Sequence, residues 1–206
     1  MRKVVDLATR TYHWLFAASF LGAYLSADSE KFRLLHVTLG YTMIGLLGFR
    51  LVWGMFGPRH MRLSAMFRKL KGLKPLREAF RSGQLLQASH LKQSANLLMS
   101  WVIVALLISV IPLTLSGYAV YHELAGKWLE EIHEFFGELM LWMVVIHLIM
   151  IAVVSLLRRT NLAQSMITGS VSGTGPDLIK SEYSVVSVVI LMSVLAWIIG
   201  YMFFIS

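Results

Sequence analysis

The chain has 206 residues, 57% of them hydrophobic and only 15% charged, with a net charge of +8 and a mean hydropathy of +0.67. That balance excludes an ordinary soluble domain, and apolar runs near 20 residues imply a polytopic helical membrane protein. Cysteine is absent, which excludes disulfides, iron–sulfur clusters, thiolate zinc sites and covalently attached haem.

Five spans are expected, over about 10–27, 34–56, 95–119, 132–157 and 184–205. The first has a basic start and a short apolar run, so a signal peptide is the competing reading. Leu25-Ser26-Ala27 makes a poor cleavage site, however, and His13-Trp14 interrupts the place where an apolar core should begin. Gly57-Pro58 ends the second span. Residues 58–92 then read as a basic amphipathic segment on the membrane surface. The stretch 160–183, rich in Ser, Gly and Thr, reads as a loop. Sixteen of the nineteen Lys and Arg fall at the N-terminus, in 50–92 or in 158–180. Only Lys31, Arg33 and Lys127 lie on the other side, against Asp28, Glu30, Glu123, Glu130 and Glu131. The positive-inside rule therefore puts the N-terminus in the cytoplasm and the C-terminus outside. With the charge so placed and no nucleic-acid motif present, a nucleic-acid partner is not expected.

Four histidines carry the chemistry. His133 and His147 are fourteen residues apart on the fourth span, hence on one face and about 21 Å apart along the axis. His13 lies near the inner start of span one and His36 near the outer start of span two. The four sort into two depths, His13 with His147 inside and His36 with His133 outside. Imidazole is a ligand for haem iron, and two levels suit two stacked cofactors. Arg50 follows His36 by fourteen residues, so it could pair a haem propionate or anchor the inner end of its span. Gly40 and Gly137 each follow a ligand candidate by four. A bare backbone there suits a flat macrocycle, and it also suits helix–helix packing. His60, His90 and His122 fall in loops or at span edges and read as mostly solvated. Glu138, inside span four, is expected to face the bundle or a watery pocket unless it sits at the interface. The dispersed methionines read as filler. Trp14, Trp53, Trp128, Tyr41 and Tyr118 read as interfacial belt and haem-edge packing.

Several stretches resemble the bacterial cytochrome b561 and nickel-hydrogenase b-type cytochrome family. They are Arg10-Thr11-Tyr12-His13-Trp14, His36 with Gly40, Arg50, Pro112 with Ser116-Gly117-Tyr118, Glu131-Ile132-His133-Glu134, His147, and the run Ser155 to Gly169. The resemblance covers about residues 7 to 170. It implies an all-α membrane protein: a four-helix transmembrane bundle holding two b haems, each ligated by two histidines, here His13, His36, His133 and His147. Residues 1–170 would form that di-haem domain, and 171–206 a cytoplasmic loop and a fifth transmembrane helix outside the haem core. The resemblance further implies a bacterial inner-membrane protein passing electrons between quinone or quinol in the lipid and a periplasmic c-type cytochrome or redox-enzyme subunit. No catalytic residue is assigned. A self-contained oxidoreductase, such as a superoxide:quinone oxidoreductase, is the alternative. Acidic outer loops favour a cationic protein over an anionic small substrate. A proton-coupled transporter is a third class, which the paired histidines and the motifs disfavour.

Overall fold

The computed structural model describes residues 1–58, 62–64, 68, 81, 88–124, 126–173 and 175–205, without the side chains of 88–90 and 205. Most of the basic segment expected over 58–92 therefore lies outside the described residues, as do His60 and the His90 side chain. The rest is helical, with six α-helices among the described residues. They are α1 (Leu7–Ser26), α2 (Arg33–Phe56), α3 (Ala88–Tyr121), α4 (Lys127–Arg158), the short α5 (Ala163–Thr168) and α6 (Ser184–Ile205). A 3-10 turn, Glu30–Phe32, precedes α2.

Four helical stretches are long and apolar enough to cross a membrane: Glu30–Phe56, Leu91–Tyr121, Lys127–Arg158 and Ser184–Phe204. Helix α1 is not among them. It has 20 residues, but Thr9, Arg10, Thr11, Ser19 and Ser26 dilute its hydropathy. It starts three residues earlier than the apolar run suggests because Asp6 caps it. The Asp6 carboxylate accepts from the Thr9 amide at 2.8 Å and the Thr9 hydroxyl at 3.0 Å, fully buried. Helices α3 and α4, with 34 and 32 residues, run about 50 Å at 1.5 Å per residue, well beyond a 30 Å hydrocarbon core.

Short connections fold α2 back on α1 and α4 back on α3. Helix α1 packs on α2 and α6, and α2 on α3 and α6. Among the described residues, α4 packs closely on α3 alone, so its backbone stands off from α1 and α2. The central core layer is Phe20, Met43, Leu47, Val110, Leu113 and Met140. Phe20, Met43 and Met140 each lie seven residues from one of the four histidines, which sets this layer about 10 Å along the axis from either histidine level. A second cluster, Tyr12, Leu46 and Ile190, seats α6 on the flank of α1 and α2, away from α4.

The bundle has two unlike ends. At the basic end the N-terminus is clasped by the segment after α4. Arg2 and Lys3 pair antiparallel with Val171 and Ser170. The Val4 and Val5 amides donate to Gly169 O at 2.8 and 3.1 Å, and Leu178 donates to Lys3 O. Gly169 has φ +78°, and a Cβ there would stand 2.8 Å from Val5 O, so glycine is required. A plain loop was the expectation over 160–183. The structure instead builds a helix, a two-residue ladder and a clasp. At the acidic end, Asp28, Glu30, Glu123, Glu130 and Glu131 are all exposed. Two of the three cations there lie over aromatic rings, Lys31 over Phe32 and Arg33 over Tyr121.

Candidate haem-binding site

All four histidines are half-buried, and His36 meets His133 as depth assigns. At the acidic end, the His36 and His133 rings lie 5.9 Å apart between centroids, planes at 77°. Each ring is fixed from behind. His36 Nδ1 is 2.8 Å from Ala23 O, and His133 Nδ1 is 2.9 Å from Leu113 O. A carbonyl oxygen only accepts, so Nδ1 carries the proton in both rings and Nε2 keeps its lone pair for a metal. A ligating histidine needs this arrangement, with the second nitrogen held by a carbonyl.

Local sequence explains both contacts. Ala23 lies in the last turn of α1, where carbonyls lack their helical partners. Its oxygen accepts from Ser26 Oγ at 3.1 Å and has a lone pair left for His36. On α3, Gly117 makes the room: a Cβ there would fall 2.7 Å from His133 Cε1 and 2.9 Å from Nδ1. Only a bare α-carbon lets the imidazole lie against α3 and reach Leu113 O.

At the basic end, His13 and His147 are close enough to interact electrostatically. Their Nδ1 atoms are buried and have no hydrogen-bond partner. Arg50, fourteen residues after His36, stands about 21 Å along α2 from it, at this level. Trp14 is half-exposed and donates from Nε1 to Met166 O at 2.8 Å, while Arg10 Nη1 donates to Ile167 O at 2.8 Å. The run after α4 thus serves to pin the start of α1, next to His13.

The remaining sequence candidates divide. A Cβ on Gly40 would meet nothing within 4 Å, and one on Gly137 only Leu113 Cδ1 at 3.9 Å. Neither glycine is therefore taken up by close helix packing, and both leave open a space that a side chain would fill. Glu138 is exposed rather than turned into the core, and His122 is exposed as its position suggested. Gly117, Ala23 O and Leu113 O were not singled out as site elements. Gly117 carried a legible signal, a glycine one turn after Leu113 on the helix facing a ligand candidate. The carbonyls carried none, because every residue has one.

Among the described residues no group of three or more His, Asp or Glu could hold a metal by itself. Paired imidazoles, orphaned or carbonyl-bound on Nδ1, with bare glycines beside them and α4 set off from α1 and α2, suit a metal whose other ligands come from a flat macrocycle. The family model for prokaryotic cytochrome b561 matches residues 4–169. No curated protein and no solved structure matches the chain. The matched stretch holds all four histidines and implies a b-type haem with its iron. The chain belongs to the prokaryotic cytochrome b561 family, membrane proteins that carry electrons on b-type haem.

Proposed function

We propose that the protein is a di-haem electron carrier linking quinone in the bilayer to a redox protein outside the membrane. His36 and His133 would hold one b haem and His13 and His147 the other. Arg50 would pair a propionate at the basic end, and Gly40 and Gly137 would give the macrocycle edges their space. Haem b supplies reversible one-electron storage at each level. The chain's own part is to hold and insulate. The carbonyl bonds from Ala23 and Leu113 fix the acidic-end rings, and the layer around Phe20, Met43 and Met140 keeps water from between the levels. Residues 1–170 would be the di-haem domain, with α1 completing the four-helix bundle, and 171–206 a loop and a fifth transmembrane helix. The basic end would face the cytoplasm of a bacterial inner membrane and the acidic end the periplasm. The exposed carboxylates there, Asp28, Glu30, Glu123, Glu130, Glu131 and Glu134, with Lys31 and Arg33 laid on rings, favour a basic protein partner such as a c-type cytochrome.

One observation carries this reading: the His36–His133 pair, 5.9 Å between centroids, with both Nδ1 atoms bound to carbonyls. The test is a pyridine haemochrome assay on purified protein. Two haems per chain, extractable with acidified organic solvent, are expected. One haem per chain or none sinks the two-level arrangement.

A further inference from the structure

Helix α6 lies beyond the family-matched residues, yet it forms one wall of a groove that no part of the haem arrangement uses. The other wall is α2. The groove has a volume of about 650 Å³ and is mainly apolar, with Leu46, Phe49, Ile190 and Val194 among its lining residues. That size is in the range of pockets for drug-sized ligands. Its flanks, Ile44 and Val189, are exposed, so it opens sideways, toward lipid in a membrane. Gly45 lies in the lining and a Cβ on it would meet nothing within 4 Å, so the groove is open at that point.

The two ends of the groove differ. Toward the acidic end it is closed by Tyr41 and Trp197, whose rings meet edge to face at 6.4 Å. The Tyr41 hydroxyl is 3.4 Å from Nε2 of His122, an exposed residue. Tyr41 follows His36 by five residues, about 8 Å along the helix. The groove therefore offers aromatic faces and a hydroxyl beside an imidazole at its end nearer His36, and aliphatic walls beyond. Among the described residues no Lys, Arg, Asp or Glu lines it. A phospholipid phosphate would find no cation there, and an ion no counter-charge.

We propose that this groove between α2 and α6 is the binding site for a quinone or quinol. The flat neutral ring would lie between Tyr41 and Trp197, one ring oxygen on the Tyr41 hydroxyl, and the isoprenoid tail along Gly45 and Ile190. This rests on the quinone-linked reading of the chain and adds where the quinone sits. It also gives α6 a task that a four-helix bundle lacks.

The test uses the full-length holoprotein in nanodiscs with a short-tailed azidoquinone, irradiated, digested and read by mass spectrometry. Adducts are expected on peptides spanning 41–49 and 189–197. Gly45→Phe fills the groove and should reduce those adducts to background with the haem absorption spectrum unchanged. Tyr41→Phe keeps the shape and removes one hydrogen bond, so quinone affinity should fall about fivefold to tenfold. Adducts elsewhere, full labelling of Gly45→Phe, or displacement of the probe by phospholipid as readily as by unlabelled quinone would each overturn the proposal. The readout is separate from haem content. Two haems with an unlabelled groove sink this site alone, and a labelled groove in haem-free protein sinks the electron-carrier reading alone.

Discussion

The two histidine pairs share α4 and differ in the helix opposite, α2 for His36 and α1 for His13, and the protein treats them differently. At the acidic end the rings themselves are fixed: both Nδ1 atoms are bound to carbonyls and Gly117 is cut away to admit one ring. At the basic end the backbone around the pair is fixed by the Asp6 cap, the strand ladder and the contacts of Arg10 and Trp14. There the His13 and His147 Nδ1 atoms are left buried and unpaired. One site is organised before any cofactor arrives. The other has a rigid frame and rings that gain from an added partner. Preorganisation lowers the cost of binding, so the ends should differ in affinity as well as in place.

The largest effects should come from removing ligands. His36→Ala or His133→Ala should abolish the haem of the acidic end, and His13→Ala or His147→Ala that of the basic end, each leaving one haem per chain. Redox titration checks the pairing: the same component should vanish within a pair. Loss of the same component in His13→Ala and His36→Ala would break the two-level comparison outright. The surviving sites also allow a direct contrast. Haemin titrated into the apoprotein of His13→Ala should bind more tightly than into that of His36→Ala, because only the former keeps the carbonyl-anchored pair.

Gly117→Val sharpens the same contrast without touching a ligand. The added carbons would push His133 off Leu113 O. Removing such an outer partner costs metal affinity on the order of 10–100-fold. Haem should be lost selectively from the acidic end, with the basic-end redox component in place. Equal loss from both ends would mean that Gly117 matters to general helix packing instead.

How much of this was legible beforehand follows the same divide. Helix positions and the His13–His147 and His36–His133 pairing came from apolar period and spacing alone, because fourteen residues on a helix fix both face and depth. The acidic-end anchors did not, since a carbonyl acceptor has no sequence signature and is defined only when α1 and α3 come alongside. The clasp was missed for another reason. A two-residue ladder between positions near 3 and 170 has no periodicity, and the residues that join it read as loop composition. Asp6 shows the limit plainly. Asp-x-x-Thr is a readable cap, yet the polar start of the chain put the expected boundary near residue 10, three residues after the first of the helix.

Asp6→Ala should weaken the basic end in particular. Loss of a helix cap costs about 0.5–2 kcal/mol, and this one is fully buried with two bonds to Thr9, which points to the upper part of that range. Thermal unfolding should begin at a lower temperature, with faster amide exchange through the first turn of α1 and unchanged exchange around His36. Unchanged exchange in α1 would show that the clasp alone holds the helix start.

The smallest effect is the most specific to the clasp. Lys3 Nζ donates to Glu182 Oε1 at 2.8 Å, and Arg10 Nη2 stands 3.6 Å from Oε2, an ion pair too long for a hydrogen bond. The hydrogen bond from Lys3 holds the Glu182 carboxyl below its usual range, and the same bond to Glu182 raises the Lys3 ammonium. The depressed carboxyl contributes stability that is complete above its ordinary value of about 4.3 and is lost as pH falls through its lowered value. The raised ammonium contributes fully below about 10.4 and is lost as pH rises through its raised value. The clasp should therefore be tightest between roughly pH 5 and 10 and loosen on either side. Lys3 is half-exposed and Glu182 about a third exposed, so the change is modest and salt should shrink it. Exchange of the Val4 and Val5 amides, corrected for intrinsic rate, reads it directly because both donate to Gly169 O. Glu182→Gln should flatten the acid limb and leave the His36–His133 end untouched. If wild type and Glu182→Gln give the same pH profile, the ladder and Gly169 hold the basic end without help from charge.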